Sequence, residues 1–172
     1  MRVTLGFAAG VLVLALARPT AFPLAVGTVI ALLGELLRVW AAGHLNKSRE
    51  VTSSGPYRWF AHPLYVGSSI MGAGLALASS SLPAAVVIAL YLGMTLTAAI
   101  RSEENFLRNA FGAEYDRYRR RESSRAGGER RFSAARAIAN HEHRAAIGLA
   151  VAVLLLLLKA TYNGMFWRQP GG

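Results

Sequence analysis

Two short polar stretches hold most of the side chains that could do chemistry. The first runs from Val51 to Tyr65 and carries Thr52, Tyr57, Arg58, His62 and Tyr65. The second runs from Arg101 to Tyr118 and carries Arg101, Glu103, Glu104, Arg108, Glu114, Tyr115 and Tyr118. A carboxylate accepts charge-assisted hydrogen bonds from a cationic ligand. A tyrosine face attracts a cation, and a histidine donates or accepts according to its tautomer. The chain has no cysteine, which excludes disulfides, iron–sulfur clusters, thiolate zinc sites and cysteine nucleophiles. His141, Glu142 and His143 have no further ligands clustered with them and do not make a metal site.

These stretches are set between apolar segments that must position them. Five such segments run Val3–Ala17, Phe22–Ala42, Leu64–Ser79, Leu82–Ile100 and Ala145–Ala160. A membrane span needs about 20 residues, so the first, third and fifth are short and require flanking residues or local bilayer thinning. The first also has the form of a signal peptide, with Arg2, an apolar run and Ala15-Leu16-Ala17. Between the third and fourth, the link Ser79-Ser-Ser-Leu-Pro83 forces a tight antiparallel hairpin. That hairpin returns the two polar stretches to one membrane face. Small residues Gly67, Ser68, Gly72, Gly74 and Gly93 permit close helix packing there. The expected fold is all-α: a polytopic transmembrane helical bundle of about five spans, forming a single integral membrane domain over residues 1–172. No segment reads as a β-strand.

Composition agrees. Of the 172 residues 53% are hydrophobic and only 16% charged, and the mean hydropathy is +0.34, whereas a soluble domain carries about 25% charged residues. The net charge of +10 coexists with long apolar runs, which points to anionic lipid as a partner rather than nucleic acid. The segment Arg101–Arg144 carries eleven of the nineteen basic residues, and the loop His44–Ala61 carries Lys47, Arg49 and Arg58. With five spans both lie on one side. The positive-inside rule makes that side the cytosol and places the N-terminus there. Eight arginines and two acids between Arg117 and Arg136, with Gly127-Gly128 among them, read as a mobile basic linker over residues 119–143 on anionic lipid heads.

The ordered set Val51-Thr52, Gly55-Pro56-Tyr57, His62-Pro63-Leu64-Tyr65-Val66-Gly67, then Glu103-Glu104, Leu107, Phe111-Gly112, Glu114-Tyr115 and Tyr118 resembles the isoprenylcysteine carboxyl methyltransferase and phospholipid methyltransferase superfamily. The resemblance covers residues 51–118. It implies an S-adenosylmethionine cofactor bound between membrane helix ends at the cytosolic face, and a lipophilic methyl acceptor entering from the bilayer. It implies cofactor contacts from Tyr57, His62, Pro63, Leu64, Tyr65 and Glu103, and from backbone near Val51 and Thr52. Methyl transfer from a sulfonium needs alignment in a dry pocket rather than a metal or covalent nucleophile.

Two departures bear on the acceptor. Position 61, often arginine in that family, is Ala61, and the arginine that meets a substrate carboxylate in the prenylcysteine enzymes aligns with Ala99. Arg101 lies two residues on, roughly 200° round the helix. Arg101 and the intramembrane Glu35 are the candidate substrate contacts, Glu35 being equally readable as a structural pair with a snorkelling Arg38. Trp59 and Phe60 read as an interfacial aromatic belt. Glu104 and Arg108 read as a solvated i, i+4 pair, leaving Glu103 to face inward beside Phe106 and Leu107. The competing functional readings are a steroid-reductase type of membrane enzyme using a nicotinamide cofactor, and a non-enzymatic membrane protein binding anionic lipid.

Overall fold

The structure is a computed structural model, and it describes residues 2–46, 52, 54–112 and 131–163. The described residues form helices and no strands: α1 Arg2–Leu16, α2 Ala21–His44, a 3-10 turn Gly55–Arg58, α3 Pro63–Ala78, α4 Leu82–Phe111, α5 Ala134–Ala139 and α6 Glu142–Tyr162. α2, α4 and α6 are each long and apolar enough to cross a membrane, and α1 and α3 are shorter apolar helices. The five apolar segments of the sequence are therefore five helices. α4 runs eleven residues beyond the apolar segment Leu82–Ile100, so its polar last turns extend past the apolar length of the helix. Its 30 residues extend about 45 Å, against a hydrocarbon core of about 30 Å.

The pair α2 and α3 is the spine of the bundle. A Cβ on Gly34 would lie 2.5 Å from Met71 N and 2.6 Å from Gly67 O, and one on Gly67 would lie 2.7 Å from Gly34 O. Only hydrogen side chains on both helices allow this backbone contact, which supplies the dispersion attraction that holds helices together in lipid. The relation recurs between Gly27 and Gly74. α4 flanks α3, α1 leans on α4, and α6 packs along α2.

The far end of the bundle is closed by its linkers. Arg18 N donates to Ser79 O at 2.7 Å, and the Thr20 and Ser80 hydroxyls lie 3.2 Å apart. Ser80 takes φ 49°, and the Ser81 hydroxyl caps α4 by accepting from Ala84 N. Lys159 Nζ on α6 donates to the carbonyls of Leu14 and Ala15, which α1 leaves open at its end. Ala17, Leu24, Ala78, Leu156 and Ala160 pack into a core beneath them.

At the other end, the stretch read as a mobile basic linker is in part an ordered anchor. Residues 113–130 lie outside the described residues, and with them Glu114, Tyr115, Tyr118 and the arginines from Arg117 to Arg130. Beyond them Ser133 caps α5. Arg136 Nη1 then donates to Gly43 O at 3.1 Å, and Asn140 Nδ2 donates to Ala42 O and Leu45 O at 2.9 and 3.0 Å. These are carbonyls at the C-terminal end of α2, which need partners from outside the helix or must be shared. That need, invisible in a composition reading, fixes residues 131–143 in place.

Candidate functional site

The polar stretches meet where α3 starts and α4 leaves the bundle. Pro63 opens α3 at its first position, where its missing N–H costs nothing. His62 is the residue before it, and its carbonyl accepts from Tyr65 N and Val66 N at 3.0 and 3.1 Å. The imidazole is thus carried on the first turn of α3 and projects toward α4. There His62 Nδ1 lies 3.7 Å from Glu103 Oε2, and His62 Nε2 lies 3.5 Å from Glu104 Oε1. The Tyr65 ring stands 5.6 Å from the imidazole, centroid to centroid.

Two adjacent glutamates on one helix point about 100° apart, which is why the sequence reading turned only Glu103 inward. The structure differs because an imidazole has nitrogens on opposite edges, so two divergent carboxylates can take one each. Glu104 is in fact the less exposed, at 23% of its side chain against 36% for Glu103, with His62 at 16%. The close approach of the Glu103 carboxylate is the main influence raising the His62 pKa above its ordinary value, followed by burial, which opposes it; Glu104 adds to the rise. A half-open cluster with two carboxylates, an imidazole and a tyrosine ring is suited to a ligand that carries positive charge.

A second shoulder lies against the end of α2. Thr52 Oγ1 accepts from Asn46 N at 3.3 Å, and Thr52, Pro56 and Tyr57 are buried. Gly55, at φ 58°, presses on the His44 ring, where a Cβ would sit 2.7 Å from ring carbons. Trp40 lies 6.2 Å from His44 and 5.7 Å from Trp59, and Phe132 lies 6.1 Å from His44, centroid to centroid. Trp59 and Phe60 are exposed. His44 and Phe132 had no signal in the sequence, because their meeting depends on α5 folding back onto α2. Val51 lies outside the described residues. Leu64 contributes its carbonyl, which accepts from Arg38 Nη1 at 3.5 Å and from Ser68 Oγ at 3.0 Å.

The two candidate substrate contacts are placed differently. Arg101 is exposed on α4. Glu35 is buried, its Oε2 3.4 Å from Arg38 Nε, and the same nitrogen lies 2.7 Å from Glu142 Oε1. Arg38 does not snorkel outward; it turns between α3 and α6 and also bonds the Ser68 hydroxyl. Glu142, read from the sequence as part of the linker, is the first residue of α6 and is buried. Among the described residues no group of three or more histidine and acidic side chains is placed to hold a metal ion.

Comparison with known proteins bears on this arrangement. The chain is 35% identical over 100 residues to the nickel-cobalt-cadmium resistance protein NccN of Alcaligenes xylosoxydans xylosoxydans, covering 57% of this chain and 46% of the relative. It is 36% identical over 97 residues to the cobalt-zinc-cadmium resistance protein CzcN of Cupriavidus metallidurans, covering 55% of this chain and 43% of the relative. The chain thus spans less than half the length of either relative. No solved structure gives a significant match. Residues 23–114, from the start of α2 past the end of α4, match the family model for phospholipid methyltransferases. That interval is more than half of the chain and contains both halves of the His62 cluster, and the chain belongs to the phospholipid methyltransferase family.

Proposed function

We propose that the chain is an S-adenosylmethionine-dependent methyltransferase acting on a lipophilic acceptor at the cytosolic face of a membrane. The observation that carries this reading is the convergence of His62 and Tyr65 with Glu103 and Glu104 at the mouth of a bundle of apolar helices. The donor set fits the cofactor. Glu103 or Glu104 would accept from an α-ammonium, the tyrosine ring would face a sulfonium, and His62, whose protonated form its acidic neighbours favour, would donate to an α-carboxylate. When bound, the cofactor supplies an electrophilic methyl group on a cationic sulfur. The chain's part is to bind, to align and to exclude water. Transfer of that methyl to an acceptor heteroatom would leave the S–C electron pair on sulfur; an amine acceptor would also give a proton to solvent, whereas a carboxylate has none to give.

The acceptor class remains a prenyl-type carboxylate, a phospholipid amine or a hydrophobic small molecule. The cytosolic orientation rests on charge: Arg58, Arg101, Arg108, Arg131 and Arg144 are exposed at or near the site end, as the positive-inside rule requires of a cytosolic face. The test is calorimetric titration of the purified protein with S-adenosylmethionine, S-adenosylhomocysteine, a nicotinamide dinucleotide, and cobalt or cadmium ions. Binding of the first two alone is expected. Binding of the dinucleotide or a metal, with none of either adenosyl compound, overturns the proposal.

A further inference from the structure

The helix α6 lies beyond the family match, yet it reaches the site through one side chain. We propose that Glu142 is a positioning residue for the cofactor site: through Arg38 it fixes the first turn of α3, on which His62 and Tyr65 stand. For its cofactor readout this inference rests on the function proposed above.

The chain of contacts is continuous. Glu142 Oε1 lies 2.7 Å from Arg38 Nε, with the Glu142 side chain 7% exposed and that of Arg38 17%. Arg38 Nη1 reaches Leu64 O at 3.5 Å and also donates to the Ser68 hydroxyl, which itself donates to Leu64 O at 3.0 Å. Leu64 is two residues from His62, and the His62 carbonyl is bonded within the same turn. The guanidinium therefore ties α2 to the first turn of α3.

Arg38 has a competing partner. Glu35 on its own helix lies 3.4 Å from the same Nε, against 2.7 Å for Glu142, and both contacts are ion pairs in which neither the Glu35 oxygens, Arg38 Nε nor Glu142 Oε1 makes a well-aligned hydrogen bond. Alone, this i, i+3 acid draws the guanidinium along α2 and away from α3. Glu142 approaches from α6 at the shorter distance and holds the group in the gap between helices. Two carboxylates at one guanidinium exceed what charge balance requires in a buried place. The second is explained by direction rather than by charge. Removing Glu142 leaves the ion pair with Glu35 and releases the tie to Leu64, so α3 stays paired with α2 through its glycines while its first turn loosens.

The experiment uses Glu142→Ala, Glu142→Gln and Glu142→Asp in the full chain. The first readout is the His62 titration by nitrogen NMR without cofactor, which reports how firmly the imidazole sits between Glu103 and Glu104. The second is the dissociation constant for S-adenosylmethionine. In Glu142→Ala the His62 midpoint is expected to move down toward that of a free histidine. Cofactor binding is expected to weaken about three- to thirtyfold, the range typical of coupling through a packed network. Glu142→Asp restores part of both. Glu142→Gln keeps an acceptor oxygen, serves if the alanine variant does not fold, and is expected to fall between. A folded alanine or glutamine variant that titrates His62 as wild type does overturns the inference. If the wild-type protein binds no S-adenosylmethionine, the proposed function falls while the His62 titration still decides the role of Glu142.

Discussion

His62 Nε2 lies 3.5 Å from Glu104 Oε1 across 42 residues of chain, and the other edge of the same ring faces Glu103. This one imidazole joins the start of α3 to the emergent end of α4. Either carboxylate alone could pair with it. Having both leaves an acid for a cationic ligand while the histidine keeps its position.

Glu103→Gln and Glu104→Gln are both expected to lower the His62 pKa, Glu103→Gln by more because its carboxylate is the larger influence. The Glu103 side chain is 36% exposed, so solvent screening reduces its worth. Loss of one charge-assisted bond to the cofactor should then cost about 1.5 kcal/mol of binding, the lower end of the range for charged groups. Calorimetric titration of both variants checks this. Wild-type affinity in Glu104→Gln would mean that the carboxylate nearer the imidazole takes no part in the site.

The raised His62 pKa makes stability depend on pH with a defined sign. The folded state holds its proton more tightly than the unfolded chain does. The resulting stabilisation is complete below the unfolded value, roughly 6.5 for a free histidine. It is lost as pH rises from there through the folded value. Wild-type protein in detergent should lose melting temperature across that interval relative to His62→Gln, which carries no titrating ring. Parallel profiles for the two proteins would show that the glutamates do not hold the imidazolium.

The sequence revealed the helices because apolar length and the charge pattern decide them almost without reference to tertiary contact. It also revealed that the stretch ending in His62 and Tyr65 meets the one carrying Glu103 and Glu104, since a five-residue link between two apolar segments leaves the chain little choice. It did not reveal the direction of Glu104. Helical spacing offered Arg108 as a surface partner, and nothing local announces an imidazole arriving from another helix. Glu142 was hidden for the same reason. In sequence it sits in a basic stretch between two histidines, and its burial follows only from where α5 docks on α2. Side chains whose role is set by a distant partner are the ones that composition and periodicity misassign.

The seam between α2 and α3 makes its own prediction. In Gly34→Ala the added methyl meets Met71 N at 2.5 Å and Gly67 O at 2.6 Å. Both are backbone atoms, so the helices must separate. Overpacking of this kind costs about 1–3 kcal/mol, which should appear as a lower melting temperature in detergent. Gly10→Ala is the control, because nothing lies within 4 Å of its added methyl. A helix interior favours alanine over glycine by about 1 kcal/mol, so that variant should melt no lower than wild type. An equal fall in both would mean that the glycines matter for helix formation and not for the seam.

Orientation is decided by labelling single cysteines, against a native chain that has none. Arg58 is exposed on the turn at the site end, and Leu82 is 78% exposed at the opposite end, where α4 begins. α4 crosses between these ends, so the two positions must lie on opposite sides of any membrane the bundle spans. The basic residues gather around the site end, and Arg18 and Lys159 are the bases among the described residues near the other. Translocation disfavours short basic loops, so the expected place of Arg58 is the cytosol. In sealed right-side-out cells, an impermeant thiol reagent should therefore label Leu82→Cys directly and Arg58→Cys only after lysis. Labelling of Arg58→Cys in intact cells would invert the topology and put the His62 cluster outside, where the cytosolic supply of S-adenosylmethionine cannot reach it.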